Sequence, residues 1–167
     1  MKTHSFTIQT IGTHIKVADF DLSKRFYETL GFTKVFEYGP DKTFQKDAKG
    51  NLVSAPEAYH GMTFSHGGCK LEIADGHRAV KPGVFKEKVR SSKISLMISV
   101  NSIAKIIEAC KKAHIPMAVG PRHYYWGTLE VVIKDPDGVV LVFIAPYSKE
   151  EAKKILADEM WGTPPKK

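Results

Sequence analysis

Apolar and polar positions alternate along the chain in short bursts, and twice the alternation gives way to a helical period. Residues 11–17, IGTHIKV, alternate and carry β-branched side chains, which predicts a strand. In DFDLSKRFYETLGF the apolar residues Leu22, Phe26, Tyr27 and Leu30 recur at helical spacing, with Asp19 or Asp21 placed to cap the helix and Gly31 to stop it. TKVFEY predicts a strand ended by Gly39-Pro40. Residues 40–58 are polar and read as a loop, with a turn at DAKGN. YHGMTFSHGGCKLEIADG predicts two strands joined at Gly67-Gly68, and a lysine-rich connector covers roughly 76–92.

The order then recurs. KISLMISV alternates, and SIAKIIEACKKAHI places Ile103, Ile106, Ile107 and Cys110 on one helical face. PMAVG reads as a short strand, and TLEVVIKDPDGVVLVFIAP as a hairpin around Asp135-Pro136-Asp137-Gly138. Each half is therefore strand, helix, then three strands. A shift of 83 residues carries Val17 onto Val100 and Leu30-Gly31-Phe32 onto Ala113-His114-Ile115. A shift of 70 carries Leu71-Glu72-Ile73 onto Leu141-Val142-Phe143, the longer polar loop of the first half absorbing the difference. Matching order with few identities points to duplication. Each half must bury its sheet face against something, so neither is expected to be stable alone. Residues 148–160, SKEEAKKILADEM, are expected as an appended helix with Ser148 as its cap and Glu151 three residues on, and Trp161 with GTPPKK as a loose tail.

Composition narrows the class. A length of 167 residues suits one compact domain or two very small ones. Apolar runs such as GVVLVFIAP are too short to cross a bilayer, and MKTHSFTIQT has no apolar signal core, so a cytoplasmic protein with no membrane partner is expected. Cys69 and Cys110 are too few for a disulfide framework and read as small buried hydrophobes. The net charge is +7, but the lysines are scattered, dense only at 81–93 and in the tail, with no arginine stripe among aromatics. No nucleic-acid partner is expected; the balance leans toward anionic small ligands or acidic partners.

HIKVADFDLSKRFYETLGF, GGCKLEI and WGTLEVVIKDPDGVVLVF together resemble the vicinal oxygen chelate superfamily, over nearly the whole chain up to Pro146. That group holds glyoxalase I, extradiol dioxygenases, methylmalonyl-CoA epimerase and the fosfomycin and bleomycin resistance proteins. The resemblance implies an α+β fold: two tandem βαβββ modules forming a curved mixed sheet around a concave cleft. A single domain would span 1–147, with module 1 about 5–80 and module 2 about 91–147, followed by a C-terminal helix and tail at 148–167. In metal-dependent members each module offers a ligand from its first strand and another from its last. By resemblance those positions are Gly12, Glu72, Ser95 and Val142 here. One carboxylate cannot hold a divalent ion against water, so no metal and no cofactor are expected.

Strand parity then gives a cleft-facing set. It comprises Gly12, His14 and Lys16, then Lys70, Glu72 and Ala74, then Ser95, Met97 and Ser99, then Val140, Val142 and Ile144; Thr13, Ile15 and Val17 lie under the helices. One module is polar there and the other mostly apolar, as in small-molecule sites. His14 reads either as a hydrogen-bonded structural histidine or as a ligand-contact and proton-transfer group. Glu72 reads either as an ion-pair partner of Lys16 or Lys70 or as a general base with its pKa raised by an apolar wall. A non-standard metal site on His14 and Glu72 would need His60 or His66 in addition. Tyr59, His60 and His66 are expected at the rim. In PRHYYWG, Arg122 suits an anion and Tyr124, Tyr125 and Trp126 suit stacking, or else the aromatics plug the core.

The expected function is that of a glyoxalase/bleomycin resistance-like protein binding a small, partly apolar and anionic molecule in a metal-free cleft. Bleomycin resistance members bind a cationic ligand, which a basic chain does not suit. The alternative is a lyase, isomerase or dioxygenase using Glu72 and nearby histidines, with or without a non-standard divalent metal site. A third reading is a protein-association module. A homodimer is expected from the family.

Overall fold

The computed structural model describes residues 12–90 and 93–161, arranged as two compact units that divide between Glu87 and Lys88. In the first unit, β1 (Gly12–Lys16) leads to α1 (Phe20–Thr29), then β2 (Lys34–Gly39), β3 (Gln45–Lys46), β4 (Leu52–Pro56), β5 (Gly61–His66) and β6 (Cys69–Ala74). These form one sheet in the order β1-β6-β5-β2-β4-β3, with β1 parallel to β6. α1 starts where the Asp19 carboxylate accepts the Leu22 N–H at 2.8 Å. Its apolar stripe buries Phe26 and Tyr27 over Ile15, Phe64, Leu71 and Ile73 of the sheet core. The Tyr27 ring lies 5.2 Å from Phe26, 5.2 Å from Phe32 and 5.8 Å from Phe64.

The second unit repeats the plan with β7 (Ser95–Ser99), α2 (Ile103–Lys112), β8 (Met117–Tyr124), β9 (Thr128–Lys134), β10 (Val140–Pro146), α3 (Lys149–Ile155) and β11 (Asp158–Trp161). Its sheet runs β11-β8-β9-β10-β7, with β7 parallel to β10. All of Ile103, Ile106, Ile107 and Cys110 are buried, as the helical period requires, against Leu129, Val131, Ile133, Leu141 and Phe143.

The duplication is visible in the register. Gly12 stands opposite Lys70 and Ser95 opposite Val140, and the shifts of 83 and 70 residues carry the first pair onto the second. A one-residue slip in either sheet would reverse the faces of a strand, so the agreement fixes which side chains face out. The helix ends match as well. Gly31 (φ 89°) and His114 (φ 55°) each follow a helix in the left-handed conformation. Phe32 N–H reaches Tyr27 O at 3.1 Å, and Ile115 N–H reaches Cys110 O at 2.9 Å. Both are Schellman stops, one made with glycine and one without.

Four expectations need correction. Residues 40–58 are not merely a loop: β3 and β4 form a hairpin whose turn is tied by the Asp47 carboxylate, with β4 running parallel to β2. The short strand at PMAVG extends to Tyr124, because β9 pairs with it as far as Thr128 opposite Tyr124. The appended helix stops at Ile155 rather than running to 160. Leu156 takes a left-handed conformation (φ 53°), Ala157 N–H closes on Ala152 O at 2.9 Å, and the chain turns into β11 parallel to β8. Trp161 therefore belongs to a strand. Finally, Cys69 is exposed beside the β5–β6 turn, and only Cys110 is buried.

Ser148 caps α3 as expected, its hydroxyl accepting the Glu151 N–H. Glu151 does not complete a capping box with it. Its Oε1 accepts the Ser102 hydroxyl at 2.6 Å and the Ala104 N–H at 2.8 Å, so α3 supplies an acceptor to the first turn of α2. The Asp135–Gly138 turn is similarly committed: Asp137 O accepts the Val89 N–H at 2.7 Å, and a side chain on Gly138 would collide with the Val89 carbonyl. The N-terminal start of module 1 and residues 162–167 of the tail lie outside the described residues. No helix among the described residues is long and apolar enough to cross a membrane.

Candidate functional site

Burial separates the two faces of the first sheet. Ile15, Val17, Leu71 and Ile73 are buried beneath α1, while His14, Lys16 and Glu72 are part-exposed and Lys70 exposed on the other face. Ala74, assigned to the open set by parity, is fully buried. The parallel register sets His14 directly opposite Glu72, His14 Nε2 lying 3.9 Å from Glu72 Oε1. That distance is too long for a hydrogen bond, and Nε2 is buried with no hydrogen-bond partner. Burial holds the His14 pKa below its usual value; Glu72 opposes this, while Lys16 and His77 add to it. The His77 ring meets His14 edge-on at 5.2 Å. Burial likewise lowers Lys16, against the pull of Glu72.

Glu72 does not pair with Lys16 or Lys70; no lysine among the described residues lies within ion-pair distance of it. Its partner is Tyr38, whose hydroxyl donates to Oε1 at 2.6 Å. Tyr38 sits on β2, with β5 in between, and stands opposite Gly61. A side chain on Gly61 would overlap the Tyr38 ring, so glycine is what lets the ring lie across β5 to reach β6. Burial first, and then the bond to Glu72, raise the Tyr38 pKa far above its normal value and keep the hydroxyl a donor. Tyr59 meets Tyr38 edge-on at 5.8 Å. Tyr38, Tyr59 and His77 thus join His14 and Glu72, although the sequence marked only the last two and a rim position for Tyr59.

His60 is occupied elsewhere. Asp75 accepts its backbone N–H at 2.8 Å and lies 3.2 Å from Nδ1, Asp41 is 3.4 Å from Nε2, and Phe20 stacks on the ring. His66 is exposed at the hairpin end. Neither joins His14 and Glu72, and among the described residues no group of three or more His, Cys, Asp or Glu is placed to hold a metal ion. Gly12, Ser95 and Val142 supply no His or carboxylate. The residues present do not fit the metal centre that the fold family implies.

On the second sheet the open face is mixed, with Met97, Val132, Val140, Val142 and Ile144 among Ser95, Ser99, Glu130 and Lys134. Met97 stands opposite Val142, which stands opposite Val132, and Met97 is 75 % exposed while Ser95 lies beside it. At the β8–β9 turn Trp126 stacks on Tyr124 with ring centroids 4.5 Å apart, and Tyr125 packs edge-on against Trp126. Glu130, unmarked by the sequence, holds this corner: its Oε1 accepts the Trp126 indole N–H at 3.0 Å and the Thr128 hydroxyl at 2.6 Å. Trp126 is half-exposed, so the aromatics line the surface and do not plug the core. Arg122 lies 3.9 Å from Asp158 of β11, an acidic neighbour that a free anion site would lack. His123, buried on β8, contacts Glu159 at 2.7 Å and stacks on Tyr147.

The family profile described as Glyoxalase/Bleomycin resistance protein/Dioxygenase superfamily matches residues 8–143. The chain belongs to this superfamily. Solved members share its fold at low identity. A bleomycin-binding protein complexed with bleomycin is 24 % identical, with a TM-score of 0.50 over 85 % of this chain and all of the other. The fosfomycin resistance protein FosX of Listeria monocytogenes, complexed with Mn(II) and sulfate, is 14 % identical, with a TM-score of 0.50 over 90 % of this chain and 99 % of that one. A glyoxalase/bleomycin resistance protein/dioxygenase from Alicyclobacillus acidocaldarius is 16 % identical, with a TM-score of 0.53 over 86 % and 95 %. No curated protein matches the chain. At these identities the fold carries over, and the bound molecules do not.

Proposed function

We propose that this superfamily member binds a small, partly apolar anion on the open face of its first sheet without a metal. The observation that carries the reading is the Tyr38–Glu72 bond at 2.6 Å, which fixes a polar centre on a face also bearing His14, Lys16 and Lys70. The two lysines on that face favour an acceptor-bearing ligand. The second unit carries apolar and stacking surface of its own at Met97, Val142 and the Trp126 corner. A second reading, a lyase, isomerase or dioxygenase, is favoured by His14: its unpartnered Nε2 faces Glu72 and suits proton transfer. The proposed protein partner is a second copy of the chain, supported by the exposed Ile94 and Met97 at the β7 end of the second sheet. The proposed location is the cytoplasm.

Metal content of protein purified without chelator, with thermal stability measured in Ni, Zn, Mn, Fe and Co, tests the metal-free reading. The expected result is no stoichiometric metal and no stabilisation. A large stabilisation by one ion, lost in His14→Ala or Glu72→Ala, would overturn the metal-free reading in favour of the enzyme.

A further inference from the structure

The pairing of β2 with β4 begins only at Glu37 opposite Ser54. Before that point the strands part, and β2 also shifts register against β5 between Lys34 and Phe36, so Val35 is an extra residue there. The result is a groove of about 680 Å³ floored by Val35, Phe36, Leu52 and Val53. Thr63 and Lys70 also line it, and Thr63 stands opposite Glu72, so the groove continues the open face that carries His14 and Glu72. Among the described residues, β11 rather than a hairpin stands beside β8 in the second sheet.

Its charges are unevenly committed. Asp47 at the rim is spent on its own turn, Oδ1 accepting the N–H groups of Lys49 and Asn51 at 2.8 and 2.9 Å and Oδ2 the Asn51 amide at 3.0 Å. Lys34 lies 3.1 Å from Glu37, a carboxylate that Lys24 and Lys42 also approach at 4.0 and 3.8 Å. Lys70 has no ion-pair partner among the described residues, and Thr63 and the Asn51 side chain add polar groups near it. One uncommitted cation beside an apolar floor matches one negative charge on an apolar body; a phosphate dianion would leave charge uncompensated. The volume is in the range of small-molecule sites.

We propose that this groove seats a monocarboxylate with an apolar tail, the tail lying along Phe36 and Val53 and the carboxylate meeting Lys70. The assignment rests on the binding reading above and narrows it to a chemical class. The test is titration of the isotope-labelled full chain with octanoate and, in parallel, uncharged 1-octanol, followed by amide NMR. Octanoate is expected to shift the amide signals of Val35, Phe36, Leu52 and Val53. Lys70→Gln is expected to weaken octanoate about fivefold, as for a solvent-accessible ion pair, to leave octanol unchanged, and to be rescued by Lys70→Arg. Lys70 is exposed, so these variants should keep the fold. Equal weakening of both probes, shifts confined to residues outside the groove, or no shifts would overturn the assignment. Shifts confined to His14, Lys16 and Glu72 would do so while leaving the binding reading intact; that reading fails separately if no small molecule in a thermal screen stabilises the chain.

Discussion

His14 and Tyr38 approach Glu72 from opposite sides, one from β1 and the other across β5, and only Tyr38 is within hydrogen-bond distance. This asymmetry gives His14 a testable titration. Its folded pKa lies below 6.5, so the unfolded chain takes up the proton first as the pH falls. The linked stability is fully present above 6.5 and is lost as pH drops from there through the folded value. His14→Gln is expected to flatten the pH dependence of urea-unfolding free energy between about pH 5 and about pH 7 relative to the parent. An unchanged slope would mean that His14 does not titrate as its surroundings dictate. His14 and Glu72 were legible in the sequence because both lie on clear strands and parity assigns their face. Tyr38 was not, because its reach depends on a glycine from a third strand, and no local pattern reports which residue lies opposite Gly61.

At the scale of elements, the three α-helices among the described residues end by one device with different residues. Gly31, His114 and Leu156 all sit at positive φ, and only glycine adopts that conformation without steric cost. Leu156 is also 85 % exposed, so its side chain gains little from packing. Leu156→Gly is expected to raise the unfolding free energy by roughly 0.5–1 kcal/mol, read from the urea midpoint at constant m value. A loss of stability would show that Leu156 packs in a way its exposure denies. The same residue explains the error in the expected span of α3. SKEEAKKILADEM is built of good helix formers, and local propensity alone carries a helix to Met160. Pairing with the edge of β8 overrides it, and a long-range edge leaves no mark on a short window. The Glu151 pattern misled for a related reason: S-x-x-E was read as a local cap, while the carboxylate serves α2, 47 residues away in sequence from its Ala104 donor.

For the whole molecule, order and periodicity were enough to read the fold class, because the two shifts that align the sequence also align the parallel strand pairs. What differs between the halves is appended beyond the second strand, the β3–β4 hairpin in one and β11 in the other, and neither carried a strong period. Association is testable at this scale. The 18.6 kDa chain is expected to sediment at twice its mass, and Met97→Lys, a charge placed on the exposed β7, is expected to shift it to the monomer. A parent that sediments as a monomer at all concentrations removes the second copy as a partner. The two cysteines carry a practical consequence of their own. Cys110 is buried, with its thiol pKa pushed up by that burial, whereas Cys69 is exposed beside Lys70. A thiol-selective fluorophore should therefore attach at one position in the unaltered protein, at the β5–β6 turn, so the chain carries its own point for a single optical label.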